Sequence, residues 1–425
     1  MFQNTQVLIT AIIFILTYVL IVSEKLNRTT IALFGASIVL ALKIVSQEYA
    51  FESVDFNTIG LLIGMMVIVN ITKKTGVFQY LAIKAAKLAE GEPWRIILAF
   101  SIITAISSAL LDNVTTVLLI VPVTLVITDT LKINPIPFLI PEILFANIGG
   151  TATLIGDPPN IMIGSSTKLG FMDFVINLSP VVIIIFIITT FILKFVYRKQ
   201  LTVDEKLKKR IMEFDESKSI KDKNLLKKSL FVLGLTMLGF ITHQFIGLES
   251  ATVAIVGAAL LLVLSNINPE EVLLEIEWTT IFFFAGLFIL VGSLEKVGII
   301  ENIAEEIINL TKGNLFLTAI IIVWVSALAS AFIDNIPFVA TMIPLIKSIG
   351  TMSTMDITPL WWALALGACL GGNGSLVGAS ANVIVAGMLE KTEHNISFVN
   401  FLKIGFPIMI ISIFISTIYL IVFYL

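Results

Sequence analysis

Three aspartates interrupt long apolar segments of this chain: Asp112 in SALLDNVTTVLLIVPV, Asp157 in GGTATLIGDPPN and Asp334 in SAFIDNIPFVATMIPL. A carboxylate at bilayer depth costs about 2.5–3.5 kcal/mol on insertion scales, so each needs a compensating role. One role is structural, because an Asp before a helix accepts the first backbone N–H groups at the positive dipole end. The other is chemical: a buried carboxylate can bind a coupling cation or exchange a proton. The two roles are compatible at one residue.

The polar breaks come in pairs. Asp112-Asn113 recurs as Asp334-Asn335 at an offset of 222 residues. The same offset carries Gly35 to Gly257, Gly64 to Gly286, Pro122 to Pro344, Gly149-Gly150 to Gly371-Gly372, and Asn160 to Asn382. One ungapped offset joining so many Gly, Pro, Asp and Asn residues marks an internal duplication. Four interruptions are therefore expected to converge: the two Asp-Asn tips, Gly149 through Asn160, and Gly371 through Asn382. Their glycines allow unwound backbone whose freed carbonyls can ligate Na⁺, whereas close helix packing accounts for Gly35 and Gly257. Pro158-Pro159 stops any helix. The second copy has Ala379-Ser380-Ala381 after its break, so it lacks one carboxylate.

The elements that must hold these residues follow from composition. Of 425 residues 57% are hydrophobic and only 13% charged, against about 25% charge in an ordinary soluble domain; mean hydropathy is +1.01. The apolar runs are continuous rather than alternating, which excludes a β-barrel. The fold class is an all-α polytopic membrane protein. The first copy, 1–197, reads as spans near 6–22, 30–46 and 57–72, an interfacial amphipathic helix over 76–90, a re-entrant hairpin over 94–128, a broken helix over 138–166 and a closing span at 174–196. The second copy, 229–425, has its hairpin at 315–348 and its broken helix at 360–388. This predicts about ten transmembrane helices, two hairpins and two interfacial helices. Each half makes an odd number of crossings, so the two repeats are expected to be inverted, with the site where the breaks meet.

Charge supports an orientation. The linker 198–228 carries eleven basic and six acidic residues and reads as a solvated cytoplasmic segment rather than a nucleic-acid patch. Counting from it, Lys25, Arg28, Lys73, Lys74, Lys84, Lys87, Arg95 and Lys132 fall inside, as the positive-inside rule requires. Both termini fall outside, in a multi-pass plasma-membrane protein. The exception is 265–278, expected inside yet holding four Glu and no Lys or Arg.

No Arg or Lys is expected at the breaks; Lys43, Lys194, Lys347 and Lys403 lie near span ends, where they can snorkel. Three carboxylates then remain at depth without a fixed positive partner. The oxygens of Asp, Asn, Thr and Ser suit a small cation, a proton or a neutral hydroxylated species, and a carboxylate substrate would need a metal ion to accompany it. His243 and His394 read as interfacial. Cys369 stands where the first half has Asn147 and reads as a packed small residue, although a thiol could ligate a soft metalloid. An intramembrane aspartyl protease would need Tyr-Asp and Gly-x-Gly-Asp contexts, which are missing, so no catalytic residues and no enzyme activity are expected. A channel is the remaining alternative of another class.

The motifs LLDNVTTVLLIVPVT, NIGGTATLIGDPPNIMIG, FIDNIPFVATMIPLI and GACLGGNGSLVGASANVIVAG together resemble the ion transporter superfamily. The nearest branch is the arsenite permease and Na⁺:H⁺ antiporter group that includes the melanosomal P protein; the divalent anion:sodium symporters are more distant. The resemblance covers essentially the whole chain. It implies an inverted-repeat secondary transporter with two re-entrant hairpins, often a homodimer moving in elevator fashion, without a cofactor but coupled to H⁺ or Na⁺. It implies one half-site of Asp112, Asn113, Thr115, Thr151, Thr153, Asp157 and Asn160, and another of Asp334, Asn335, Asn373, Ser375, Ser380 and Asn382. Na⁺ would sit at Asp112, Asn113, Asp334 and Asn335. Arsenite or antimonite efflux is the first substrate expectation, Na⁺/H⁺ exchange the second, and Na⁺-coupled dicarboxylate or citrate transport the third. The related dicarboxylate carriers have Ser-Asn-Thr at their hairpin tips, where this chain has Asp112-Asn113-Val114-Thr115 and Asp334-Asn335-Ile336-Pro337.

Overall fold

The computed structural model describes residues 2–23, 25–199, 201–390 and 393–425, and among these there is no strand. The first half opens with α1 (Phe2–Val22), α2 (Arg28–Ala41), the short α3 (Gln47–Ser53) and α4 (Phe56–Lys74). Amphipathic α5 (Val77–Leu88) leads to the antiparallel pair α6 (Pro93–Leu110) and α7 (Asn113–Leu131). The first break separates α8 (Ile136–Gly150) from α9 (Pro158–Ser166), and α10 (Phe171–Tyr197) closes the half. The linker holds α11 (Glu205–Met212). The second half begins with α12 (Lys223–Ile246), α13 (Ser250–Ser265), α14 (Pro269–Leu274) and α15 (Trp278–Lys296). It continues through α16 (Ile299–Thr311), α17 (Leu315–Phe332), α18 (Asn335–Met352), α19 (Thr358–Gly371), α20 (Ser380–Leu389) and α21 (Phe398–Phe423). From α2 to α9, every helix starts 222 residues before its counterpart among α13 to α20.

Among the described residues nine helices are long and apolar enough to cross a membrane. α2 and α13 fall short at 14 and 16 residues, while α6, α7 and α17 qualify. The second hairpin arm, α7, is longer than the sequence suggests, running to Leu131. Its threonines do not end the helix, because Thr124, Thr128 and Thr130 each return a hydroxyl hydrogen bond to the carbonyl four residues earlier.

The halves exchange partners. α4 packs on α13 and α2 packs on α15, and the two contacts repeat each other in detail. A Cβ on Gly64 would lie 2.6 Å from the Ala254 carbonyl carbon, and one on Gly286 would lie 2.9 Å from that of Ala32. Thr29 Oγ1 donates to the Thr279 carbonyl at 2.8 Å, and Ala251 N–H donates to Asn57 Oδ1 at 3.1 Å. Lipid offers helices no hydrophobic drive to associate, so close backbone approach carries this interface. Gly64→Val is therefore expected to disrupt the α4–α13 pair and to abolish the monodisperse peak on size-exclusion chromatography. Gly60→Ala is the control: its Cβ would meet only side-chain atoms, at 3.2 Å, and a normal Gly64→Val profile would refute the interface argument.

A second group forms around α8 and α19. Every residue from Pro137 to Gly150 and from Pro359 to Gly371 is buried, as suits helices apolar on all sides. At 15 and 14 residues they reach only about 22 Å and stop inside a hydrocarbon layer about 30 Å thick. The hairpins grip them identically: Ser108 Oγ donates to Ala146 O, and Ser330 Oγ to Ala368 O, both at 2.6 Å. Trp362 meets Phe174 edge-on at 5.3 Å.

The linker keeps most of its charged residues exposed, as their number suggests, and it is also docked on the helices. α11 docks on α5 and α7, burying Ile211 completely, and Lys87 Nζ reaches Glu216 at 2.6 Å and the Phe214 carbonyl at 2.8 Å. The apolar side chains interleaved with the charges make this possible. Two of the four glutamates of 265–278 find a counter-charge, since Lys74 lies 3.3 Å from Glu275 and 3.8 Å from Glu271.

Candidate functional site

α9 packs on α18 and α20 packs on α7, so each break meets the hairpin tip of the other half. Two of the three aspartates are helix caps. Asp112 Oδ1 accepts from Thr115 N–H at 2.7 Å and Oδ2 from the Thr115 hydroxyl at 2.6 Å. Asp334 Oδ1 accepts from Ile336 N–H at 3.1 Å. Asp157 precedes α9 but makes no side-chain cap bond. It is 1% exposed; its Oδ1 accepts from Asn335 Nδ2 at 3.3 Å, and its Oδ2 has no partner.

That unpaired carboxylate faces a cavity of about 60 Å³ between the two halves, which has room for roughly four waters. Its polar lining is Asp112, Asn113, Asp157, Glu277, Thr280, Asn335, Ser380 and Arg28. A wider vestibule of about 330 Å³ adjoins it, lined by Asp334 and sharing Arg28, Ser380 and Ile384.

Arg28 corrects the expectation that no cation sits at the breaks. Its Nη1 lies 2.5 Å from Asp334 Oδ2 and donates to Ser380 Oγ at 2.9 Å, while Ser380 Oγ donates to the same carboxylate oxygen at 2.9 Å. The guanidinium also stacks over Phe283, 5.1 Å from the ring centre. The 23–29 loop places Arg28 at the first position of α2, and the swapped α2–α15 pairing carries it across to the second hairpin. Sequence distance hides this contact, and the repeat offers no hint because Ser250 is the counterpart. The expected Na⁺ position at Asp334 is thus shared with a guanidinium.

The remaining candidates close the breaks rather than line the cavity. Asn160 Nδ2 donates to the carbonyls of Thr151 and Thr153 at 3.1 and 2.9 Å. Asn382 Nδ2 donates to those of Gly372 and Ser375 at 2.8 and 2.9 Å. Thr153 Oγ1 donates to Ala109 O at 2.5 Å, and Ser375 Oγ to Ala331 O. Thr151 bonds back to Asn147 O at 2.7 Å, and Asn373 Nδ2 reaches Leu144 O at 3.2 Å. Four of the carbonyls in the breaks, those of Thr151, Thr153, Gly372 and Ser375, thus each accept from an asparagine amide. The paired glycines are also close-packed: a Cβ on Gly149 would lie 2.3 Å from Ala105 O and one on Gly371 2.7 Å from Ala327 O.

Sequence reasoning missed three further groups. Asn147 joins the halves, accepting from Asn113 at 3.1 Å and donating to Asn373 and Asn382, each at 2.9 Å. Glu277 lines the cavity, and its repeat counterpart Asp55 was the available signal. Glu142 is a fourth carboxylate at depth, 1% exposed in α8; the apolar run around it concealed it. Cys369 is wholly buried with its thiol 3.5 Å from Asn160 Oδ1 and does not line the cavity. His243, in the last turn of α12, is buried, its Nδ1 lying 2.8 Å from Leu248 O.

The sequence profile described as "Citrate transporter" (CitMHS) matches residues 18–367. An "Uncharacterized transporter" of Mycobacterium tuberculosis is 44% identical over 96% of both chains, as is the "46 kDa membrane protein" of Mycobacterium leprae. The "P protein" of Homo sapiens is 35% identical across 99% of this chain and 60% of its own length. Two solved structures share the fold. The YdaH transporter of Alcanivorax borkumensis has 13% identity and a TM-score of 0.58, covering 98% of this chain and 97% of that one. Neisseria gonorrhoeae MtrF has 12% identity and a TM-score of 0.61, covering 100% and 97%. With this match across most of its length, the chain belongs to the citrate transporter family of secondary transporters and is a multi-pass membrane transporter rather than an enzyme.

Proposed function

We propose that this transporter is driven by a small cation, H⁺ or Na⁺, bound in the acidic cavity by Asp112, Asn113, Asp157 and Asn335, and that Na⁺/H⁺ exchange is its basic activity. The observation behind this reading is the Asp157 carboxylate: buried, free of capping duty, with an oxygen that no protein group satisfies. A buried charge of this kind is tolerated when an ion or proton completes it. Among the described residues no group of three or more His, Cys, Asp and Glu is placed to hold a metal, and the amides and carboxylates present suit a weakly held hard monovalent cation.

Carboxylate transport is the second reading, favoured by Arg28. A guanidinium that exchanges Asp334 for a substrate carboxylate would give a bidentate anion site in the 330 Å³ vestibule, in keeping with the name of the matching family. Arsenite efflux rests on resemblance alone, since the cavity presents no thiol.

The α2, α4, α13 and α15 group serves as the scaffold and the hairpin and break group as the moving body, in a homodimer with inverted repeats; the linker faces the cytoplasm and both termini the outside. Proteoliposomes with an imposed pH gradient provide the test. Saturable ²²Na⁺ uptake that collapses with the gradient is the expected result. Gradient-driven citrate or arsenite flux without Na⁺ movement would overturn the first reading, and current without any gradient dependence would indicate a channel.

A further inference from the structure

Glu142 lies outside the cavity, on α8, and Pro141 before it leaves that stretch of helix one donor short. The carboxyl is 1% exposed. Thr124 Oγ1 donates to its Oε1 at 2.5 Å, while Oε2 is buried without a partner.

The face of α7 turned toward it carries a polar stripe: Asn113, Thr116, Thr124 and Thr128, spaced by one or two helical turns. At one end Asn113 lines the acidic cavity. At the other, Thr128 lines an open vestibule of about 610 Å³ with Asp129, Lys132, Glu393 and His394. Thr128 Oγ1 donates to the Thr124 carbonyl at 2.9 Å, so Glu142 stands one helical turn behind the vestibule wall. Thr116 Oγ1, together with Ser101 and Thr104 on α6, is buried and unpartnered like Glu142 Oε2.

The duplication isolates this feature. At the 222-residue offset Glu142 becomes Leu364, Thr124 becomes Ile346, Thr116 becomes Phe338 and Thr128 becomes Gly350. The second copy has apolar residues or glycine at these four positions, although Asn113 and Thr104 keep polar counterparts in Asn335 and the equally unpartnered Ser326, so it is the carboxyl that the fold does not need. Keeping an uncompensated carboxyl in one copy only points to use rather than packing.

We infer that Glu142 is a second proton-binding site, exchanging its proton with the vestibule at the C-terminal end of α7. A hydronium in the vestibule gives up its proton across the Thr128 and Thr124 turn to a Glu142 oxygen, leaving water behind, and release is the reverse. The titratable groups on elements packed against α8 are Arg95 on α6, Asp129 on α7, Asp173, Lys194 and Tyr197 on α10, and Cys369 on α19. Thr124 is the one hydrogen-bond partner of Glu142 among the described residues, so no fixed charge holds it in one protonation state.

Infrared titration of the lipid-reconstituted protein reads the proton directly, whatever ion the transporter carries. Asp157 and the other carboxyls contribute their own protonated-carboxyl stretches, so the expected result is one component of that region that appears and disappears reversibly with bulk pH in the parent and is missing in Glu142→Gln, which keeps the shape and the bond from Thr124. Thr124→Val should retain the band with a displaced midpoint. A parent-minus-Glu142→Gln difference spectrum with no protonated-carboxyl component, or with one that does not change with pH, would overturn the assignment. Because the measurement uses no substrate, it can fail while the Na⁺ flux result stands, and the reverse.

Discussion

Arg28→Ala is expected to reduce transport about 10–100-fold, and adding Asp334→Ala is expected to restore part of the loss. Arg28 begins α2, within the group formed by the swapped helix pairs, and Asp334 caps α18 at the tip of the second hairpin. Their 2.5 Å contact is a direct charge link between the two groups, with side chains only 33% and 13% exposed. Removing one partner leaves the other as an uncompensated, half-buried charge. Coupling energies for such contacting pairs run to about 1.5–3 kcal/mol, which corresponds to roughly 10–100-fold in rate or affinity. Losing both charges removes the stranded one, so the double variant should exceed either single variant. Arg28→Lys should be intermediate: one nitrogen, Nη1, already serves both Asp334 and Ser380, so an ammonium can keep the charge contact, but it loses the planar stacking over Phe283. Strictly additive losses in this mutant cycle, measured by flux at matched protein content, would mean that the pair is not coupled and the link is incidental.

That contact also marks where the sequence stopped being readable. The duplication, the helix order and the paired breaks follow from local signals: apolar runs, Gly-Gly, Pro-Pro and Asp-Asn at a constant offset. Those signals put Asp112, Asn113, Asp157, Asn335 and Ser380 at the cavity, where they stand. Arg28 and Glu277 reach it only because α2 and α15 pair between halves, and pairing between distant helices leaves no local trace. Glu142 was hidden for the opposite reason, since a single carboxylate barely changes the hydropathy of a 15-residue helix. The asparagines illustrate a third limit. Sequence gave their positions in the breaks, but whether an amide binds an ion or closes a backbone carbonyl depends on side-chain direction, and for Asn160 and Asn382 it closes the carbonyls.

Asp157→Asn is expected to lower cation-coupled flux at least about 100-fold while leaving the protein folded. The three break aspartates are chemically distinct. Asp112 uses both oxygens on Thr115, and Asp334 is neutralised by Arg28. Asp157 has neither service: it meets only Asn335, at 3.3 Å, and the adjacent Cys369 thiol, and its second oxygen is buried without a hydrogen bond of normal geometry. An asparagine there can still accept from Asn335 and fills the same volume, so it removes the charge and little else. Taking an unpaired charge out of the interior should hold or raise thermal stability, which separates a functional loss from misfolding. Asp112→Asn makes the useful contrast. Asparagine caps a helix about as well as aspartate, so a variant that lost only the cap role would be nearly silent, and one that lost a share of the cation would be weakened about tenfold. The expected order of severity is therefore Asp157→Asn well above Asp112→Asn. If Asp157→Asn instead carries ²²Na⁺ within about threefold of the parent across the pH range, the cavity carboxylate is a structural group and the cation must bind elsewhere. A melting temperature that drops for Asp157→Asn would lead to the same conclusion, because a carboxylate that the fold needs is one that some protein group already satisfies.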